Sequence, residues 1–397
     1  MEANPGQRRE RTDGAGERRA GLAEVRPEPD VRPDSSQVEP PDVPTLRRVT
    51  DVAVLILHPT LAGRAGEIET WIVAARAGLA ERHRVGFLAA GATEITVVTG
   101  PQDGTPFGER LRAFVAARRP HGLVVLGSGA IPLATLADRR AFVQAAAATG
   151  RRALANNRFS ADIVAVAEAA TLNDLPDLAT DNGLPRWLAE VAGYEVADLR
   201  RRARLGFDID GPLDLVLVGR RAWLGHAPEG ILDLATARLG AVRAIARDPR
   251  AELLVTGRLS AAGLSWLERA TASRTRALIE ERGFRTRAAG QRPVRSSLGL
   301  LLDRDGPAAL GSILAELGDA ALVDTRVLLA HRLGADEGGW PSAEDRFASD
   351  LLLADRIADS WLRALTAAAR DAPIPIVLGG HSLVGPGLRL ALPKGRP

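Results

Sequence analysis

The chain has 397 residues, with 52 Lys+Arg against 49 Asp+Glu, a net charge of +3, 46% hydrophobic residues and no cysteine. Without cysteine there are no disulfides, thiolate-held zinc sites, iron–sulfur clusters or thiol nucleophiles. The one lysine is Lys394, so outside the chain's last residues lysine-based phosphate binding and Schiff-base chemistry are excluded, and anions must be met by arginine, whose planar guanidinium grips phosphate or carboxylate in two places.

Residues 1–46 are rich in Pro, Arg, Glu, Asp, Gly and Ser. Their scattered apolar residues cannot offset chain entropy, and a disordered tail is expected. Folded sequence begins near Val49. Val52–Leu57 is a short continuous apolar run, as in a strand buried on both faces. A helix is expected over Ile68–Arg82, a strand over Ile95–Thr99 and a helix over Gly108–Arg118. A third strand, Leu123–Leu126, leads into Gly127-Ser128-Gly129-Ala130-Ile131-Pro132, and a helix follows over Thr135–Ala147. This alternation predicts βαβ units around a mostly parallel sheet, with ligands outside the carboxyl ends of its strands. Residues 151–220 are less regular. The second half again alternates: a strand at Glu252–Val255, a long helix over Ser260–Arg282, a strand at Leu298–Leu302, helices over Ala308–Leu317 and Phe347–Ala369, and a last strand at Ile374–Leu378. The expected fold class is therefore α/β, with a tail at 1–46, one α/β domain over 47–225 and a second over 226–397. No apolar run is long enough to span a bilayer, and the N-terminus lacks the apolar core of a signal peptide, so a soluble cytoplasmic protein is expected.

The most informative stretch is Phe207-Asp208-Ile209-Asp210-Gly211-Pro212-Leu213-Asp214-Leu215. Read as a strand end turning into a helix, it projects Asp208 and Asp210 to one side. Two such carboxylates suit a divalent ion that carries a nucleotide phosphate. The competing structural role is capping of a helix that starts at Pro212, since Asp is a favoured N-cap and Pro a favoured first helical residue.

The segment Asp208-Ile-Asp-Gly-Pro-Leu-Asp-Leu resembles the Asp-Ile-Asp-Thr-Pro-Glu-Asp-Leu segment of nucleotidyltransferases of the molybdopterin-guanylyltransferase and phospholactate-guanylyltransferase kind, with Gly211 where threonine is usual. Leu126-Gly-Ser-Gly-Ala-Ile-Pro-Leu133 resembles their central strand, which ends in Gly-Asp-x-Pro; Ala130 stands where the family has its metal aspartate. His58-Pro-Thr-Leu-Ala-Gly-Arg-Ala-Gly66 stands where the family has a glycine-rich triphosphate loop, here without lysine. The resemblance covers about residues 49–220. It implies a Rossmann-like nucleotidyltransferase domain that moves a nucleoside monophosphate from a nucleoside triphosphate to a small phosphorylated or sugar-like acceptor. It further implies Mg²⁺ at Asp208 and Asp210, with Gly63, Arg64 and Gly66 at the phosphates. Asn156, Asn157 and Asp181 are candidates for base, sugar or acceptor, each also readable as a turn residue.

Two alternatives follow from the same residues. Ala130 favours a catalytically degenerate nucleotide-binding or assembly module on the same fold. The second half has its own polar residues, His331, Asp345 and Gly379-Gly380-His381-Ser382, and activity around His331 and His381 is the other alternative. Ser342-x-x-Asp345 reads first as a helix cap. Nucleic acid is not an expected partner, because the arginine runs are offset by acids and lack interleaved aromatics.

Overall fold

The structure, a computed structural model, describes residues 51–392 apart from 62, 64, 102, 220, 222–223 and 284–291. The expected tail at 1–46 and the candidate Arg64 lie outside the described residues. Those that are described belong to one compact unit, Val49–Pro397, built on two sheets.

The first sheet contains β1 (Val52–Thr60), β2 (Glu94–Pro101), β3 (Gly122–Gly127), β4 (Arg152–Ala155), β5 (Ile163–Val166) and β6 (Glu195–Asp198), in the order β2-β1-β3-β5-β4-β6. Val52–Ile56 and Gly122–Leu126 are buried throughout. A central strand covered on both faces needs this unbroken apolar run. β5 runs antiparallel to β3 and β4, and the other pairs are parallel. The antiparallel strand brings residue 162, just before β5, to the edge where β1, β3 and β4 end.

The second sheet, β10-β9-β7-β8, is parallel throughout and contains β7 (Glu252–Gly257), β8 (Arg274–Ile279), β9 (Ala320–Asp324) and β10 (Ile376–Gly379). One hydrophobic core spans the boundary between halves. It joins Trp71, Ile72 and Leu79 from the helix Glu67–Ala89 to Phe207, Ile209 and Leu213, and on to Leu254, Leu322 and Leu378 of the second sheet. Among the described residues no helix is long and apolar enough to cross a membrane.

Three expected elements of the second half differ. Leu298–Leu302 is helical, within Ser297–Asp305, where Ser296 accepts the Gly299 N–H. A leucine run suits either element; here Leu298 and Leu302 are buried one turn apart and Leu300 points outward. The expected long helix over 260–282 stops at Ala270 and gives way to β8, whose partner β7 supplies the ladder. The expected helix over 347–369 is two, Ala343–Asp350 and Ser360–Arg370.

Candidate functional site

The segment Phe207–Gly211 carries no sheet ladder and is contacted from both halves of the chain. Its backbone is held from the first half at Ile209, whose N–H donates to Gly129 O at 3.0 Å and whose carbonyl accepts from Arg76 Nε at 2.7 Å. Gly129 allows the approach, since a Cβ there would lie 2.9 Å from Ile209 O. From the second half, Asp350 and Phe347 pack against Gly211, and Ser382 Oγ reaches Asp208 Oδ1 at 3.4 Å. Ser382 follows β10, and Gly129 follows β3. The segment therefore lies where the carboxyl ends of both sheets meet, the place where α/β sheets bind ligands.

Neither Asp208 nor Asp210 caps the helix Pro212–Val218. Gly211 is the N-cap residue, and the Asp214 carboxylate reaches back to accept the N–H groups of Asp210 and Gly211 at 2.8 and 2.7 Å. The capping role weighed against Asp208 and Asp210 falls to Asp214. Asp208 is left half-buried and Asp210 exposed. Arg76 Nη2 stands 3.8 Å from Asp210 Oδ1, a loose pairing.

The junction is crowded with acid. Burial, then repulsion from Asp210, Asp162 and Asp214, raises the Asp208 carboxyl well above the usual carboxylate range. Burial and Asp210 push Asp214 up to about 8. Asp162 is pushed up to about 7 by burial; an Asn156 hydrogen bond opposes the shift, and Asp181 and Asp210 add to it. Asp181 rises to about 6, again mainly through burial. Carboxyls raised together mark a place short of positive charge.

The second sheet contributes two ion pairs at its carboxyl edge. Arg258 donates to Asp324 through Nε at 2.6 Å and Nη2 at 3.0 Å. Arg326 grips Asp350 with both Nη atoms, Nη2 at 2.7 Å from Oδ2. His381, exposed at the start of a short helix after β10, is held below the usual imidazole range by surrounding protein and by Arg258, a shift its exposed side moderates.

Other candidates from the sequence fall elsewhere. Asn156 is buried and has no capacity left. Its Nδ2 donates to Asp162 Oδ2 at 2.7 Å and to Leu205 O at 2.9 Å, and its Oδ1 accepts the N–H groups of Asp162 and Ile163. It braces the β4–β5 turn and fixes Asp162. Asn157 closes an Asx turn by accepting the Phe159 N–H. Asp181 opens a single 3₁₀ turn, Asp181–Gly183, and lines a pocket together with Asp162. Gly63 takes φ +76 in an exposed turn. Gly66 precedes the helix Glu67–Ala89, and a Cβ there would overlap the Glu344 carboxylate. Glu344 accepts the N–H groups of Ile68 at 3.2 Å and Glu69 at 2.9 Å. The helix start to which phosphate was assigned thus already holds a carboxylate from the second half. Ala130 is buried, and its carbonyl accepts from His83 Nε2 at 2.8 Å.

In the second half, His331 Nδ1 accepts the Ser296 N–H and Nε2 faces Asp303 at 2.9 Å, partners that His381 does not share. Ser342 caps its helix as expected, while the Asp345 carboxylate instead accepts the N–H groups of Ala358 and Asp359. Among the clustered arginines Arg200, Arg201, Arg202 and Arg204, Arg202 and Arg204 clamp the buried Asp138. Sequence reading assigned no role to Arg76, Asp162 or Asp214. Asp214 carried a signal, as the acid three residues past Gly211; Arg76, in mid-helix, carried none.

No family model and no curated protein matches the chain. Among solved structures, it is similar to the crystal structure of Rv0371c from Mycobacterium tuberculosis H37Rv, at 16% identity over 38% of this chain and 87% of that one, with a TM-score of 0.24. A likeness of that extent carries no argument about fold or site.

Proposed function

We propose that the junction between the two sheets binds a nucleoside triphosphate through Mg²⁺ at Asp208 and Asp210, and that its reaction is transfer of a nucleoside monophosphate to a small phosphorylated or sugar-like acceptor. The observation that carries this reading is the release of Asp208 and Asp210 from helix capping by Asp214, which leaves both side chains at the carboxyl edge among other unneutralised acids. Among the described residues no group of three or more His, Cys, Asp or Glu is arranged to hold a metal ion alone. Mg²⁺ asks for less, since it binds through one or two carboxylates and takes its other ligands from phosphate and water. The crowded carboxyls fit a cation, which would relieve their repulsion.

When bound, Mg²⁺ supplies positive charge against the developing charge of the phosphates. Arg76 fixes the Ile209 carbonyl and stands beside Asp210, and Asp214 fixes the backbone of Asp210. His381 and Ser382 follow β10 of the second sheet, and Ser382 Oγ reaches Asp208 Oδ1. A thermal-shift series of ATP, GTP, CTP and UTP, each with and without Mg²⁺, tests the reading. At least one nucleotide raises the melting temperature only with the metal, by preferential binding to the folded chain.

A second reading, a degenerate nucleotide-binding or assembly module, is favoured by Glu344. Its carboxylate fills the helix start where a triphosphate would rest, and buried Ala130 offers no metal ligand. It predicts no metal-dependent shift with any of the four triphosphates.

A further inference from the structure

Beside the junction, a pocket of about 170 Å³ opens at the ends of β1 and β3 and the start of β5. Leu57, Pro59, Phe107 and Val125 form apolar walls, and Asp162 and Asp181 are the polar side chains among its described lining residues. Pockets that enclose whole drug-sized ligands run to about 300–1,000 Å³, so this one takes a single part of a ligand.

Both acids line that space, and no cation among the described residues pairs with either. Arg76, Arg202, Arg204, Arg258 and Arg326 are all engaged with other acids. Asp162 is built into place, with Oδ2 held by Asn156 Nδ2 at 2.7 Å and its N–H held by Asn156 Oδ1 at 3.0 Å. An ionised carboxylate only accepts hydrogen bonds. A ligand must therefore bring the donors, and the walls require that it bring them on an apolar body. A hydrated metal ion fits such walls poorly, and an anionic group would meet like charge.

We propose that this pocket receives a positively charged nitrogen, an ammonium or amidinium on a small apolar body, held between Asp162 and Asp181. The inference does not rest on nucleotidyl transfer or on Mg²⁺ at Asp208 and Asp210, and its test uses neither nucleotide nor metal. Benzylamine and benzamidine are titrated into the full chain by calorimetry against benzyl alcohol, a neutral body of the same shape. The cations bind at least about tenfold more tightly, a preference that Asp181→Asn and Asp162→Asn each remove. Their affinity falls from about pH 8 to about pH 5, as carboxyls pushed up to about 7 and about 6 take protons. Equal affinity for benzyl alcohol, no binding of either cation, or an undiminished preference in folded Asp181→Asn overturns the proposal. The ligand series on the unaltered chain decides the matter even where a variant fails to fold.

Discussion

Asp214 takes the Gly211 N–H at 2.7 Å, closing its helix from inside and relieving the acids upstream of the capping role. The cap is itself a buried acid, pushed up to about 8 by burial and by Asp210. Between about pH 4 and 8 the folded chain keeps a proton here that the unfolded chain has lost. This residue's contribution to stability is therefore present at low pH and fades as pH rises through that window, by up to about 1.4 kcal/mol per pH unit. Asp214→Asn keeps an acceptor for the two N–H groups and loses the titration. In urea unfolding, the variant gains on wild type from pH 5 to pH 8; an unchanged difference contradicts the assignment.

His83 works in the opposite sense. Arg139 Nη2 approaches His83 Nδ1 at 3.3 Å, and arginine only donates, so Nδ1 accepts and Nε2–H donates to the Ala130 carbonyl. Burial, then Arg139, pushes the ring down to about 3. The unfolded chain binds a proton below about pH 6.5 and the folded chain does not, so stability is lost as pH falls through that range. His83→Gln can donate and accept at similar places without titrating. Its stability relative to wild type rises from pH 7 to pH 4, measured by urea unfolding.

Glu344 and Gly66 are coupled. Glu344→Ala leaves two N–H groups of the helix Glu67–Ala89 without their carboxylate partner and costs about 1 kcal/mol. Gly66→Ala pushes the same carboxylate away, because the new Cβ occupies its place. The two losses do not add: the double variant falls within about 0.5 kcal/mol of the worse single one, whereas independent sites would sum. A double-mutant cycle in urea reads this directly.

Much of the fold was legible in local pattern. The apolar runs at Val52 and Leu123 became central strands, and Pro212 began a helix where expected. Ambiguity entered where periodicity could not choose, as in the leucines at 298–302, and where a strand had to find a distant partner, as with β8. The site was legible in its acids and not in its supports. Asp208 and Asp210 announce themselves by spacing, but Arg76 meets Ile209 across 133 residues and Glu344 meets Glu69 across 275. Contacts of that separation leave no mark on either local sequence. Asn156 shows a related limit: an Asn pair in a loop reads equally as ligand contact or turn, and only the structure brings Leu205 and Asp162 to use up its amide.

The central claim is that Asp208 and Asp210 hold the metal of a bound nucleotide. Titration calorimetry of the four nucleoside triphosphates in Mg²⁺, on wild type, Asp208→Asn and Asp210→Asn, tests it most directly. The account predicts metal-dependent binding of at least one triphosphate to wild type, weakened at least about tenfold in each variant, with unfolding free energies within about 1 kcal/mol of wild type. Binding that survives both substitutions unchanged, or no binding to wild type at all, contradicts it.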